Sequence, residues 1–214
     1  MSNNSKWGVF WLLVIGAFLG ILITAATVRA VQWAGSNDFC TGWCHSMDPV
    51  AVSYKKGQHG MTASGATAGC SDCHLLNETQ HPLTPTKYVA LLANKAKAGS
   101  ISAFGHVTGS INTPEKWLEK RAEMSKNVMG FMKDTGFSNC RGCHDLSKMH
   151  NPKKPFVGKL HQGFIEKPET NCVMCHKNAG HNYTDVEAYV KAENKWPTEQ
   201  AVEEFVKKNA QPAQ

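Results

Sequence analysis

The 214-residue sequence lacks the marks of several common classes of protein. It has no run of lysine and arginine with interleaved aromatic residues, so nothing favours nucleic-acid binding. Its formal net charge of +6 is only a weak indication of acidic partners. No segment has the alternation of apolar and polar residues that is typical of a β-strand. No cysteine stands alone, because all eight fall into four close pairs and a histidine directly follows each pair.

Three of the four pairs have the spacing Cys-x-x-Cys-His, the signature of covalent haem attachment: CSDCH, CRGCH and CVMCH. Two thiols add across the haem vinyl groups, and the next histidine is placed to bind the iron. Zinc knuckles and a disulfide framework are the alternatives, but four pairs that each end in Cys-His favour haem. The sequence predicts four covalently bound haem c groups, attached at Cys40, Cys44, Cys70, Cys73, Cys140, Cys143, Cys172 and Cys175.

The first pair, in CTGWCHSM at residues 40–47, is irregular because three residues separate its cysteines. The longer loop means that His45 need not reach the iron in the usual way, and Met47 can supply a thioether instead. Both residues are therefore candidate ligands of the first haem. At the regular motifs the predicted iron ligands are His74, His144 and His176.

The motifs form two groups, because they begin at residues 40, 70, 140 and 172. His59 precedes Cys70 by eleven residues, and His161 precedes Cys172 by the same interval. His81 and His181 follow their motifs by seven and five residues. This repeat predicts two dihaem units and singles out these four histidines as second axial ligands. Two further histidines, His106 and His150, have no counterpart in the repeat.

Residues 7–28 contain no charged residue, and a helix of this length, about 33 Å, can cross a bilayer. A cleaved signal peptide is the alternative, although the stretch exceeds the usual apolar region of such peptides. Haem c is attached outside the bacterial cytoplasmic membrane, so we expect a single-pass protein of that membrane. The predicted parts are a cytoplasmic N-terminus (1–6), a transmembrane anchor (7–28), a periplasmic tetrahaem domain (29–183) and a C-terminal helical extension (184–214).

The predicted fold is mainly α with extensive loops, in which porphyrin makes up much of the core. One helix is expected over residues 87–98, ended by Gly99, and another after the cap Thr113 and Pro114. Two more helices are expected after Thr184 and after Pro197.

On these features the chain resembles the NapC/NirT/NrfH family of membrane-anchored tetrahaem quinol dehydrogenases. The resemblance runs from the anchor to about Tyr183, and rests on the single span, the grouped motifs, CHSM at the first motif and TPEKW after the second. It implies that the protein takes electrons from membrane quinol, menaquinol or ubiquinol, at the first haem. The electrons then pass along the haems to a periplasmic reductase.

The resemblance also implies roles for individual histidines. It implies that Met47, rather than His45, is a ligand of the first haem. It also implies that His59 is the distal ligand of the third haem and His181 that of the second. His161 and His81 complete the ligand set, although Asn77 stands at the family position of His81.

The family quinol site combines a lysine with an acidic residue on the helix after the second motif. Lys97, or as second choice Lys95, matches the lysine, whereas Ser102 or a neighbour stands at the acidic position. Asp48 or a haem propionate is then the candidate proton acceptor. The first motif begins only about a dozen residues after the span, which makes its haem the natural point of electron entry.

Three other functions are weighed against this one. A reductase of small oxyanions is disfavoured because the chain lacks a Cys-x-x-Cys-Lys motif. Electron flow from a periplasmic oxidase to quinone would use the same haems. A membrane-tethered electron-transfer module without a quinone site is the third alternative. The sequence leaves the partner enzyme and any oligomer, with itself or with another chain, open.

Overall fold

The computed structural model describes residues 3–76, 84–149 and 151–210. These residues form ten α-helices and three short 3-10 turns joined by loops, without a strand. The prediction of a mainly helical fold with a single N-terminal apolar helix is confirmed. His81, Asn77 and His150 lie outside the described residues.

Helix α1 (Asn3–Trp33) contains the predicted anchor. Its stretch Lys6–Trp33 is long and apolar enough to cross a membrane, and its most apolar window has no side chain buried in the rest of the protein. The hydroxyls of Thr24 and Thr27 donate to the carbonyls of Gly20 and Ile23, one turn earlier. These polar groups are therefore satisfied without water, as a lipid environment requires.

The first half of the predicted tetrahaem domain follows directly after α1. It consists of α2 (Asn37–Gly42), a 3-10 turn (His45–Met47), α3 (Asp48–Lys55), α4 (Cys70–His74) and α5 (Pro85–Val107). The predicted end of α5 at Gly99 is wrong, because the helix continues for eight residues beyond it. A glycine inside a helix costs only about 1 kcal/mol, and no proline follows to prevent the helix from continuing.

The second half begins with α6 (Pro114–Asp134) and α7 (Ser138–Cys143). It continues with a turn (Leu146–Lys148), α8 (Pro155–Gln162), a turn (Cys172–Met174), α9 (Thr184–Glu193) and α10 (Glu199–Asn209). Helix α6 starts as predicted, since the Thr113 hydroxyl accepts a hydrogen bond from the Lys116 N–H and Pro114 occupies the first position.

The main hydrophobic cluster lies between α3 and the two C-terminal helices. Its fully buried members are Val52, Val186, Tyr189, Val190 and Val202. Leu118 of α6 and Phe205 of α10 pack against it. The helices of the predicted C-terminal extension are thus part of the domain interior. So small an apolar core is expected where porphyrin occupies much of the interior.

Candidate haem sites

Two of the regular motifs lie on single helical turns, whereas the last begins with the 3-10 turn Cys172–Met174. Cys70, Cys73 and His74 form α4, and Cys140 and Cys143 lie in α7. Residues three apart on a helix point to the same side, so each turn presents both thiols together. None of the eight cysteines, all of which the structure describes, forms a disulfide bond.

Each motif histidine of the regular sites faces one further histidine. The ring centroids are 5.9 Å apart for His144 and His59, and 5.9 Å apart for His74 and His181. The third pair, His176 and His161, has a centroid distance of 6.1 Å. An iron bound between two imidazoles, with bonds of about 2.0 Å and ring radii of roughly 1 Å, separates the centroids by about 6 Å. The three pairs therefore fit three haem irons.

The second nitrogen of each facing ring is already engaged. Nδ1 of His59 lies 2.9 Å from the Ala179 carbonyl, and Nδ1 of His161 lies 2.7 Å from the Val157 carbonyl. A carbonyl can only accept, so Nδ1 donates in both rings and Nε2 keeps its lone pair for a metal. Side chains with this arrangement are oriented before any metal binds.

His181 differs because a side chain accepts its hydrogen bond. Nδ1 lies 3.1 Å from Oγ of Ser53, which is fully buried. The Ser53 hydroxyl donates its own hydrogen to the Val50 carbonyl at 2.9 Å, so it accepts from His181. Sequence reasoning missed Ser53, because 128 residues separate it from its partner.

Aromatic and cationic groups surround the His181 ring. Tyr183 stacks on it at 5.2 Å, and the Arg121 guanidinium lies 4.9 Å over the Tyr183 ring. Burial, together with the neighbouring His74, lowers the pKa of His181 to about 4. Burial also lowers the pKa of His74. Both rings are therefore neutral at physiological pH, the form that ligates a metal.

The four motifs lie beside one another in chain order. The sulfur atoms of Cys40 and Cys70 lie close together, and α2 and α4 are in contact. Cys140 lies near Cys172, and Cys73 lies near Cys143. Each motif is thus a neighbour in space of the next motif along the chain.

Polar side chains join these neighbouring motifs. Asn37 accepts a 2.8 Å hydrogen bond from the Cys70 N–H. Asn139 is buried and donates to the carbonyls of Asp72 and Leu75 at 2.7 and 2.6 Å. The Arg141 guanidinium donates to three carbonyls of the loop that precedes the fourth motif, those of Phe164, Ile165 and Lys167. No local pattern distinguishes these residues from ordinary surface polar groups, so the sequence did not reveal them.

The irregular first motif is built differently. The His45 side chain is 78% exposed, and its Nδ1 lies 3.0 Å from Oδ2 of Asp48. No second imidazole is found against it among the described residues. Met47 is half-buried and ends the turn before α3. Trp43, inside the motif, packs at 5.3 Å on Trp33, the last residue of α1. The first motif therefore lies where the chain leaves the apolar helix.

Lys95 and Lys97 lie on different sides of α5, because residues two apart on a helix do not share a face. The Lys95 ammonium donates to the Val31 carbonyl of α1 at 3.2 Å, and a Cβ at Gly35 would lie 3.1 Å from it. Its charge also helps to lower the pKa of Cys40. Lys97 is exposed. The structure thus brings Lys95, and not Lys97, to the end of α1, shortly before the first motif.

Comparison with known proteins places these features in a family. Residues 2–186 match the family described as NapC/NirT cytochrome c family, N-terminal region. The chain is 31% identical over 184 residues to the cytochrome c-type protein NapC of Escherichia coli K12, covering 85% of this chain and 86% of NapC. It is 28% identical over 188 residues to the tetraheme c-type cytochrome CymA of Shewanella oneidensis MR-1, covering 84% of this chain and 94% of CymA.

A longer relative also matches. The chain is 30% identical over 183 residues to the cytochrome c-type protein TorC of Escherichia coli K12. That alignment covers 86% of this chain but only 44% of TorC, so the chain spans less than half the length of this relative. No solved structure matches the chain.

Proposed function

The chain belongs to the NapC/NirT cytochrome c family, and from that premise we propose that it oxidises quinol at the membrane surface. In this proposal it passes the electrons through four covalently bound haem groups to a periplasmic redox enzyme. The family is one of membrane-anchored multihaem cytochromes in quinol-linked electron transfer. The number of haems, the direction of electron flow and the periplasmic location of the domain are parts of the proposal.

Three sites have two histidine ligands each in this proposal: His74 with His181, His144 with His59, and His176 with His161. The centroid distances of 5.9 to 6.1 Å and the engaged Nδ1 atoms support it. Haem c, when bound at these cysteines, supplies one-electron transfer at each iron. His81 has no place among the described pairs and stays a predicted ligand.

Met47 is the proposed ligand at the first site. The His45 side chain is 78% exposed and faces no second imidazole among the described residues, which supports this choice. A thioether in place of an imidazole changes the potential and the access of the site, since axial ligand identity is a main control of haem chemistry.

Quinol binds beside Lys95 in this proposal, and not beside Lys97. The single observation that carries it is the 3.2 Å hydrogen bond that the Lys95 ammonium donates to the Val31 carbonyl, nine residues before Cys40. From there Lys95 can donate a hydrogen bond to a quinol oxygen at the membrane surface. Quinol oxidation releases protons as well as electrons, and Asp48, next to the first motif, is the proposed acceptor.

A matched pair of variants tests this assignment. Full-length protein in liposomes receives a menaquinol analogue, and haem reduction is followed by absorbance. We expect Lys95→Gln to slow reduction at least about tenfold, the loss of one charge-assisted hydrogen bond of about 1.5 kcal/mol or more. Lys97→Gln should stay within about twofold of the unaltered protein. The reverse ranking would transfer the role to Lys97, and no reduction of the unaltered protein would favour a module without a quinone site.

A further inference from the structure

Helix α5 packs against the rest of the protein along one side only. Leu91 on that side is 4% exposed, and the Lys95 ammonium reaches α1. Asn94 accepts a 3.0 Å hydrogen bond from the Leu76 N–H at the end of the second motif. These contacts turn one side of α5 toward the first and second motifs.

The remaining surface of α5 is apolar although nothing among the described residues covers it. Val89, Phe104 and Val107 are 64%, 71% and 83% exposed, and Ile101 at the edge is 62% exposed. Ala93, Ala96, Lys97 and Ser100 are exposed on the same face of the helix. We call these eight residues the outer face of α5. A helix surface that faces water normally carries several charges, whereas this one has a single lysine.

A shallow cavity adds to the apolar character of this surface. It has a volume of about 430 Å³ and is lined by Ser100, Ile101, Phe104, Gly105 and Ser110. The hydrogen bonds of α5 toward α1 and the second motif run through Lys95 and Asn94, which do not line this cavity. The outer face is therefore an unpartnered surface.

The membrane is the partner that the position of α5 favours. Lys95 ties α5 to Val31, in the last turns of the helix that is long enough to span the bilayer, so α5 passes beside the point where the chain leaves the lipid. The 23 residues of α5 include three lysines and no acidic residue. Apolar side chains combined with basic ones are typical of helices that lie in the surface of an anionic membrane.

We propose that the outer face of α5 lies in the membrane surface, where Phe104 and Val107 contact acyl chains and Lys97 contacts a phospholipid phosphate. The domain is then held to the bilayer at two places, by α1 and by α5. This arrangement keeps the first motif against the membrane. It depends on α1 spanning the bilayer and not on quinol oxidation, so the two proposals can fail separately.

Photoreactive lipid labelling tests the proposal on the full-length, haem-loaded protein. The vesicles contain phosphatidylcholine and phosphatidylglycerol with a diazirine in the acyl chain, and adducts are mapped by peptide mass spectrometry. We expect adducts on α1 and on residues 97–107, and none on α10, whose exposed side carries charges of both signs. Adducts confined to α1 would overturn the proposal.

Two variants sharpen the result. Phe104→Glu should lower the α5 adducts roughly tenfold while the α1 adducts stay unchanged, because a carboxylate at this depth is expelled from the acyl region. Phe104→Leu, the matched control, should keep them. Unchanged haem absorbance in both variants shows that the fold is intact. Equal labelling of the two variants, or cross-links that join α5 of two copies and persist in detergent, would contradict a lipid partner.

Discussion

Ser53→Ala is expected to raise the reduction potential of a single haem. The Ser53 hydroxyl is fully buried and accepts the hydrogen bond from Nδ1 of His181, the proposed second ligand at the second motif. This hydrogen bond makes the imidazole a stronger electron donor, which favours oxidised iron. Its removal therefore destabilises the oxidised state.

The magnitude follows from the strength of one hydrogen bond. A net contribution of about 0.5 to 1.5 kcal/mol corresponds to roughly 20 to 60 mV for a one-electron couple. The Val50 carbonyl also lies close to the His181 ring and can take over part of the hydrogen bond, so we expect the lower half of this range.

A spectroelectrochemical titration with electron paramagnetic resonance of the low-spin haems measures the shift. Ser46→Ala is the matched control, because Ser46 is also buried but its hydroxyl has no partner among the described residues. The control should leave the potential of the haem at the second motif unchanged. A downward shift after Ser53→Ala, or an equal shift of all haems, would refute the role given to Ser53.

Three further variants test the packing of single residues. Gly60→Ala should abolish the low-spin signal of the haem that His59 is proposed to bind, because a Cβ at Gly60 would overlap the Tyr54 carbonyl. Gly99→Ala lies in open space inside α5 and should stabilise the protein by about 1 kcal/mol in thermal unfolding. An unchanged low-spin signal in Gly60→Ala, or a lower stability of Gly99→Ala, would contradict the packing of these two glycines. Asn139→Leu should lower the free energy of unfolding by about 2 kcal/mol or more, since it leaves two carbonyls of the second motif without their donor. A loss below about 0.5 kcal/mol, measured by denaturant titration, would show that Asn139 does not join these motifs.

The parts of the fold and site that sequence reasoning found are those encoded locally. The cysteine motifs, the apolar span and the caps of α6 are short patterns, and the family and the mainly helical fold that they indicate are confirmed. The histidine pairs were anticipated only through the repeat and the family resemblance. They stay predictions until the ligands are measured.

The choice between Lys95 and Lys97 shows why other parts of the candidate site could not be predicted from the sequence. Two lysines on one helix are equivalent in a pattern, and only the packing of α5 against α1 distinguishes them. Ser53 and Asn139 act across 128 and 67 residues of chain, beyond the reach of any local pattern. Helix α5 continues past its predicted end because the helix-forming residues around Gly99 outweigh the cost of one glycine.

The most direct test of the proposed function uses the full-length protein alone in liposomes. A menaquinol analogue is added without any reductase or oxidase, and the absorbance of reduced haem is compared with the complete reduction obtained with dithionite. The account predicts rapid reduction of a large part of the dithionite-reducible haem. If the haems stay oxidised with quinol while dithionite reduces them fully, the protein does not oxidise quinol.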